Sequence, residues 1–199
     1  MPVTIVDEGS GNTIVAPPEF IEHQSGTIIF KGNHSSLVIG SHTAMRGGQI
    51  QVCNGSCVMI GDQCLLGFID IFANSGATIS IGNNVGFTWT VKVHAHEKGY
   101  LKIGNGCLIA KDTLITISDM HSIVDVATGE RVNPPKDIEI GDNVWLAESV
   151  RVMKGVSIGN GSIIGTCSLV TKNIPAQCLA LGVPASVQRE GVTWRHDLI

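Results

Sequence analysis

The chain has 199 residues, of which 24 are glycine, 15% are charged and 5% are aromatic, and its formal net charge is −4 at pH 7. That length suits one domain with a sizeable core, and a hydrophobic content of 43% excludes a disordered chain. A weakly acidic chain without basic clusters also argues against nucleic-acid binding.

Residues 1–8 contain no basic stretch followed by an apolar run, so they do not read as a signal peptide. No uncharged apolar stretch reaches the roughly 18 residues of a membrane span. The six cysteines, at 53, 57, 64, 107, 167 and 178, form no CxxC pair and no metal-finger spacing. They are expected to be reduced and mostly buried, as in a cytosolic protein.

Residues 1–20, with Pro17-Pro18, read as an irregular cap, and the whole segment 1–36 as cap plus first strands. Thr27-Ile28-Ile29-Phe30 and Leu37-Val38-Ile39 are the first strands. From there the dipeptide Ile-Gly recurs, with Ile at 39, 60, 81, 103, 140, 158 and 164. Several copies continue as Gly-Asp/Asn-Asn/Gly. The clearest register reads Ile140, Leu146, Val152, Ile158, Ile164 and Val170, six aliphatic residues at a period of six. Small or β-branched residues precede each by two: Ile138, Val144, Val150, Val156, Ser162 and Ser168.

A period of six within a turn of eighteen fits neither an amphipathic helix nor an alternating strand. It predicts an all-β solenoid with three flat faces over 37–175, in which the aliphatic residues stack inward from coil to coil. Gly and Asn are expected to supply the corners through their tolerance of unusual backbone angles. The Ile-Gly marks are spaced 21, 21, 22, 37 and 18 from 39 to 158. The spacing of 22 places a small bulge or loop within 89–99. The spacing of 37 is one coil plus a loop, since the register Ile103, Ile109, Ile115 next lands on His121. The chain therefore leaves the coil near Ser118 and rejoins it near Ile138, extruding a loop over about 118–136. A long loop in so regular a solenoid is usually functional. After Ile174-Pro175 the repeat fades. Val183-Pro184-Ala185 reads as a loop, and 176–199 as a C-terminal tail whose end, 187–199, is a short tail or helix.

These motifs resemble those of the hexapeptide-repeat acyltransferases. The likeness covers roughly 37–186 and is strongest over 138–184, in Ile-Gly-Asp-Asn-Val-Trp-Leu-Ala, Ile-Gly-Asn-Gly-Ser-Ile-Ile-Gly, Leu-Val-Thr-Lys-Asn-Ile-Pro and Gly-Val-Pro-Ala. Ser118-Asp119-Met120-His121-Ser122-Ile123, followed by Asn133-Pro134-Pro135, resembles the bacterial polysaccharide branch, and within it the polysialic acid capsule O-acetyltransferases. The resemblance implies a left-handed parallel β-helix, acetyl-CoA as donor, a homotrimer with active sites between subunits, and a His as general base.

Acetyl transfer to a sugar hydroxyl needs a base, a stabilised oxyanion and a held donor and acceptor. His121 lies at the register break and at the position where the resemblance places the base. Asp119 is a candidate to orient its ring, as is a backbone carbonyl. Trp145 directly precedes the inward Leu146, so alternation turns it outward. Stacking on a sugar, packing against the CoA arm or burial between subunits would each explain it. The resemblance puts an oxyanion-binding amide near Ala147 and pantetheine-lining positions at Gly165, Thr166 and Ser168. It matches Thr171 and Lys172 to a Thr-Lys pair of the family. Lys172 and Arg189 are then the cations for the CoA phosphates.

In Trp89-Thr90-Val91-Lys92-Val93-His94-Ala95-His96, alternation sets Lys92, His94 and His96 on one side. An outward basic row there would meet an anionic polysaccharide, with Trp89, Arg131, Lys98 and Lys102 near it; a solvated edge is the plainer reading. Simpler sugar acetyltransferases have an Asn near Thr90, and this chain departs from them, which leaves the acceptor open. The gamma-type carbonic anhydrases share the solenoid but need an HxxxxH pair, and no two of the seven histidines are five apart; no metal is expected. Small sugars, amino sugars and serine remain alternative acceptors. The acidic pI near 5.9 and the lack of an anchor point to a soluble cytoplasmic enzyme.

Overall fold

The computed structural model describes residues 2–199. The chain winds into a left-handed parallel β-helix of about eight turns. One face stacks Thr13–Val15, Ser36–Ile39, Cys57–Ile60, Thr78–Ile81, Tyr100–Ile103, Ile138–Ile140 and Ser157–Ile158, all parallel. A second stacks Gly86–Phe87, Leu108–Ile109, Trp145–Leu146, Ile163–Ile164 and Cys178–Gly182. A third runs from Thr4–Glu8 through Thr27–Lys31, Ala44–Cys53, Leu65–Ala73, Val91–Ala95, Leu114–Thr116 and Arg151–Val152 to Leu169–Val170. The extra residues of the 21-residue coils make no loop. They lengthen Ala44–Cys53 and Leu65–Ala73, which turn the corner and join the second face to the third.

The core is a set of aliphatic columns. Ile28, Ile50, Ile71, Val93, Ile115, Val152 and Val170 pair in register down the third face, and all are fully buried. The six residues of the period-six register are buried as expected. Burying each such side chain contributes about 1.5–3 kcal/mol, so the column amounts to a continuous core.

The corner chemistry differs from the sequence expectation. The glycines of Ile-Gly are not the left-handed residues; those fall two positions later, at His42, Gln63, Asn84, Gly106, Asn143 and Gly161. Ile-Gly glycine is required by the next coil instead. The Asp or Asn after it accepts a hydrogen bond from the corresponding residue of the preceding coil, in an unbroken ladder. Ser41 N donates to Asp62, Asp62 N to Asn83, Asn83 N to Asn105, Asn105 N to Asp142 and Asp142 N to Asn160, at 2.7–2.9 Å. A Cβ on Gly61, Gly82, Gly104 or Gly141 would stand 2.1–2.7 Å from the acceptor oxygen below it.

The solenoid also extends past both expected boundaries. Thr4–Glu8 and Thr13–Val15 already form coil, and the helix Pro18–His23 inserts Phe20 into the core. At the other end Cys178–Gly182 continues the second face and turns back as an antiparallel hairpin with Ala185–Glu190, so 185–190 is strand rather than helix. End coils have a neighbour on one side only, which relaxes the Gly-Asx requirement and erases the repeat from the sequence.

Candidate active site

The loop over 118–136 leaves the coil after Leu114–Thr116, as the register break predicts. Residues 120–130 are exposed, yet a polar network fixes the loop's two stems. Asn133, itself buried, is the hub. Its Nδ2 donates to Asp119 Oδ2 and to the His121 carbonyl, both at 2.8 Å, and its Oδ1 accepts from Ile123 N at 2.6 Å. Lys154 Nζ donates to Asp119 Oδ2 at 2.5 Å and to the Asn133 carbonyl at 3.0 Å. Arg131 grips Glu97 with two nitrogens, at 2.5 and 2.8 Å, and Ser118 Oγ donates to the same carboxylate at 2.5 Å.

These contacts revise two assignments. Asp119 is engaged by Lys154 and Asn133, which hold its carboxyl below the usual range; it secures the loop and makes no hydrogen bond to the His121 ring. Arg131 is likewise bound to Glu97 and is not a free cation for a substrate. His121 is exposed, its N–H donates to the Asp119 carbonyl at 2.8 Å, and its ring has no hydrogen-bond partner among the described residues. The ring is thus presented to solvent on a braced backbone.

Glu97 is held down to about 2 from an ordinary 4.5, by Arg131 first and Ser118 second. A folded value below the unfolded one means that the network's contribution is complete above about pH 4.5 and is lost as pH falls towards 2. Hydrogen exchange of the 119–133 amides, corrected for intrinsic rates, is expected to accelerate across that window while coil amides stay protected. Glu97→Gln should reduce this pH dependence and leave the share that Asp119 contributes. Exchange in the loop that rises no more than in the coils would contradict it.

Trp145 is half-buried, and what covers it is the chain's own C-terminal segment. Trp194 is buried, its ring centroid 6.0 Å from that of Trp145, and its Nε1–H donates to the Asn143 carbonyl at 2.7 Å. Sequence reading missed Trp194; a lone Trp in a polar tail was the available signal. Trp194→Phe is expected to cost about 1 kcal/mol for the lost hydrogen bond. Trp194→Ala should cost about 3 kcal/mol and red-shift the Trp145 emission as its indole is uncovered, with denaturant titration and fluorescence as the checks.

The donor-side amides also need correction. Ala147 N donates to the Ile164 carbonyl at 2.9 Å and Gly165 N to the Ala180 carbonyl at 2.8 Å, so both are spent within the coil. The next residue at each corner is different. The N–H groups of Lys111, Glu148 and Thr166 have no acceptor among the described residues, and they recur on successive coils of one corner. Ser168 is buried, its hydroxyl donating to the Gly165 carbonyl and accepting from Gly182 N, which makes it a brace of this corner. Thr171, Lys172 and Arg189 are exposed, and neither cation has an ion-pair partner among the described residues. Arg151, also unpaired and absent from the sequence reading, lines a cleft of about 350 Å³ with Ser149, Cys167 and Val183.

The row Lys92, His94, His96 is only partly open. His94 Nε2 lies 3.1 Å from Asp70 Oδ2, and its ring meets Phe72 and His96, so it is a braced residue rather than an outward cation. Lys102 is paired with Glu139 at 2.9 Å. Lys92 and Trp89 are exposed. All six cysteines are free, and burial pushes the Cys107 thiol up to about 11, so it is protonated at neutral pH.

Residues 137–172 match the family model described as bacterial transferase hexapeptide (six repeats). Over 125 residues the chain is 33% identical to a polysialic acid O-acetyltransferase of Escherichia coli O1:K1 / APEC, covering 63% of this chain and 40% of that protein. It is 29% identical over 157 residues to the polysialic acid O-acetyltransferase of Neisseria meningitidis, covering 75% and 69%. It aligns with the crystal structure of the polySia-specific acetyltransferase NeuO at a TM-score of 0.89 and 31% identity, over 98% of this chain and 90% of that one. The chain belongs to the hexapeptide-repeat acetyltransferases. The likeness to NeuO extends over almost the whole chain, so the loop bearing His121 and the hairpin at the end lie inside the shared fold. The match to the Escherichia coli protein, in contrast, spans less than half of that relative's length.

Proposed function

We propose that the protein is an acetyl-CoA-dependent O-acetyltransferase whose acceptor is an acidic bacterial surface polysaccharide, a capsular sialic acid polymer. The observation that carries this reading is a free imidazole on a braced loop, in a coil whose corner presents unbonded amides. The near full-length likeness to a polySia-specific acetyltransferase supports the acceptor class.

Acetyl-CoA supplies an activated acetyl group as a thioester. His121 takes the proton of the attacking sugar hydroxyl as its oxygen bonds to the acetyl carbon. The Glu148 N–H, rather than that of Ala147, is the free donor for the oxygen that becomes negative. His121 then returns its proton to the departing sulfur, which balances the step. In this reading the unbonded Thr166 N–H holds the pantetheine arm, with Lys172 and Arg189 for the phosphates. Exposed Ile123, Val124, Val126 and Val132 on the loop support its packing on a neighbouring subunit of a homotrimer. Six unpaired cysteines accord with a cytoplasmic setting.

The test is thiol release from acetyl-CoA with sialic acid polymer, a neutral polysaccharide, a small sugar and serine as acceptors. Turnover with the sialylated polymer is expected. Turnover only with neutral or small acceptors would overturn the acceptor class, and thiol release with none would overturn the enzyme reading.

A further inference from the structure

Beside the coil that feeds the His121 loop, the third face carries a cleft of about 410 Å³. Four of its lining residues lie in one register row across four successive coils: Thr27 opposite Gln49, Gln49 opposite Asp70, and Asp70 opposite Lys92. Lys92 in turn pairs with Leu114, on the strand that runs into the loop. Strands about 4.8 Å apart give the row a length of about 14 Å along the solenoid axis. It is therefore a track, longer than one sugar ring needs, that ends next to the reacting coil.

The chemistry of the track is that of a carbohydrate site. The side chains in order offer a hydroxyl, an amide, a carboxylate and an ammonium. Gln49 Nε2 donates to Asp70 Oδ1 and His94 Nε2 lies against Asp70 Oδ2, both at 3.1 Å, which fixes the carboxylate's orientation. Lys92 is exposed and has no ion-pair partner among the described residues. Phe68 lines the same cleft and forms an aromatic ledge with Trp89 beside it, with ring centroids 4.5 Å apart and exposures of 42% and 52%. Gly47 makes room for it, since a Cβ there would stand 2.6 Å from the Phe68 ring. Two large aromatic rings left open beside a polar row suit a ligand with one apolar and one polar side.

We infer that this row is a subsite for acidic sugar residues flanking the one that reacts. Lys92 pairs with a sugar carboxylate, Gln49 and Asp70 bond to hydroxyl or amide groups, and the Phe68–Trp89 ledge stacks on the ring's apolar face. The enzyme thereby recognises its acceptor as a chain. This inference rests on the acceptor class proposed above, and its test separates binding from turnover.

Binding of a short sialic acid oligomer, a long sialic acid polymer and a neutral polysaccharide is measured calorimetrically without acetyl-CoA, for wild type, Lys92→Met and Trp89→Ala. Wild type is expected to bind the long polymer more tightly than the short oligomer. Each substitution should weaken polymer binding by about tenfold, the size of one lost charge-assisted contact, and flatten the dependence on length. Wild type that does not bind the polymer, or variants that bind it unchanged, would overturn the subsite. So would light scattering showing that the variants dissociate an assembly, since the ledge would then be an interface. Binding lost in the variants without turnover in wild type would leave the subsite standing and remove the acetyl-transfer reading.

Discussion

His121→Ala is expected to lower kcat by about two to four orders of magnitude, the usual range for a general base, and to leave Tm unchanged. The two halves of that expectation come from different observations. The imidazole has no hydrogen-bond partner among the described residues, so its removal takes away no contact that holds the loop. The backbone of residue 121 is fixed instead by Asn133, and the stem by Asp119 with Lys154. Asn133→Ala supplies the contrast. It leaves the imidazole in place but removes the hub of the stem, so it should lower kcat and loosen the loop together. Thiol release and a thermal melt on each variant decide the matter. A His121→Ala protein with turnover near that of wild type would place the base elsewhere.

Gly141→Ala is expected to destabilise the solenoid by about 2–3 kcal/mol, the range of an overpacked core, although the residue is small and lies near the surface. Its Cβ would stand 2.1 Å from Asn160 Oδ1 and 2.9 Å from the Asn160 backbone nitrogen. The coil below cannot yield without breaking the bond from Asp142 N to that oxygen, at 2.9 Å, and shifting Ile140 off Ile158. Asn160→Gly relieves the side-chain clash, so the double variant should be more stable than the sum of the two single effects predicts. Denaturant unfolding of the four proteins gives the coupling. Additive losses would mean that the Gly-Asx contact does not set the coil spacing.

The fold was legible because its core is a column. Residues one coil apart touch, so one inward position repeats and the period of six appears in the letters. The corners were legible as positions but not as physics. Both Gly and Asn mark a corner, and the sequence does not say that the glycine serves the coil below while the left-handed residue comes two later. The ends were hidden for the related reason that Thr4–Glu8 has a strand on one side only, and Cys178–Gly182 is followed by an antiparallel hairpin strand instead of another coil.

The site divided along the same line. The point where the chain leaves the coil was legible because His121 breaks a register that three isoleucines establish. Its surroundings were not, because the partners come from other coils. Asp119 meets Lys154, 35 residues on; Glu97 meets Arg131, 34 residues on; and His94 meets Asp70, 24 residues back. Asp119, Arg131 and His94 each looked like a free functional group in a linear reading. The shift from Ala147 to Glu148 as the open amide has a local cause. Ala147 N bonds to the next coil and Ser149 N to the preceding one, so the N–H of Glu148 between them is left open, and that distinction needs the hydrogen-bond pattern.

Where the acetyl group goes decides what the protein does. The most direct measurement is carbon NMR of sialic acid polymer incubated with the enzyme and acetyl-CoA labelled in the acetyl carbonyl. An ester carbonyl signal attached to the polymer, absent with His121→Ala, is the predicted result. Label found only in free acetate would make the protein a thioester hydrolase under these conditions and would contradict acetyl transfer to a sugar hydroxyl.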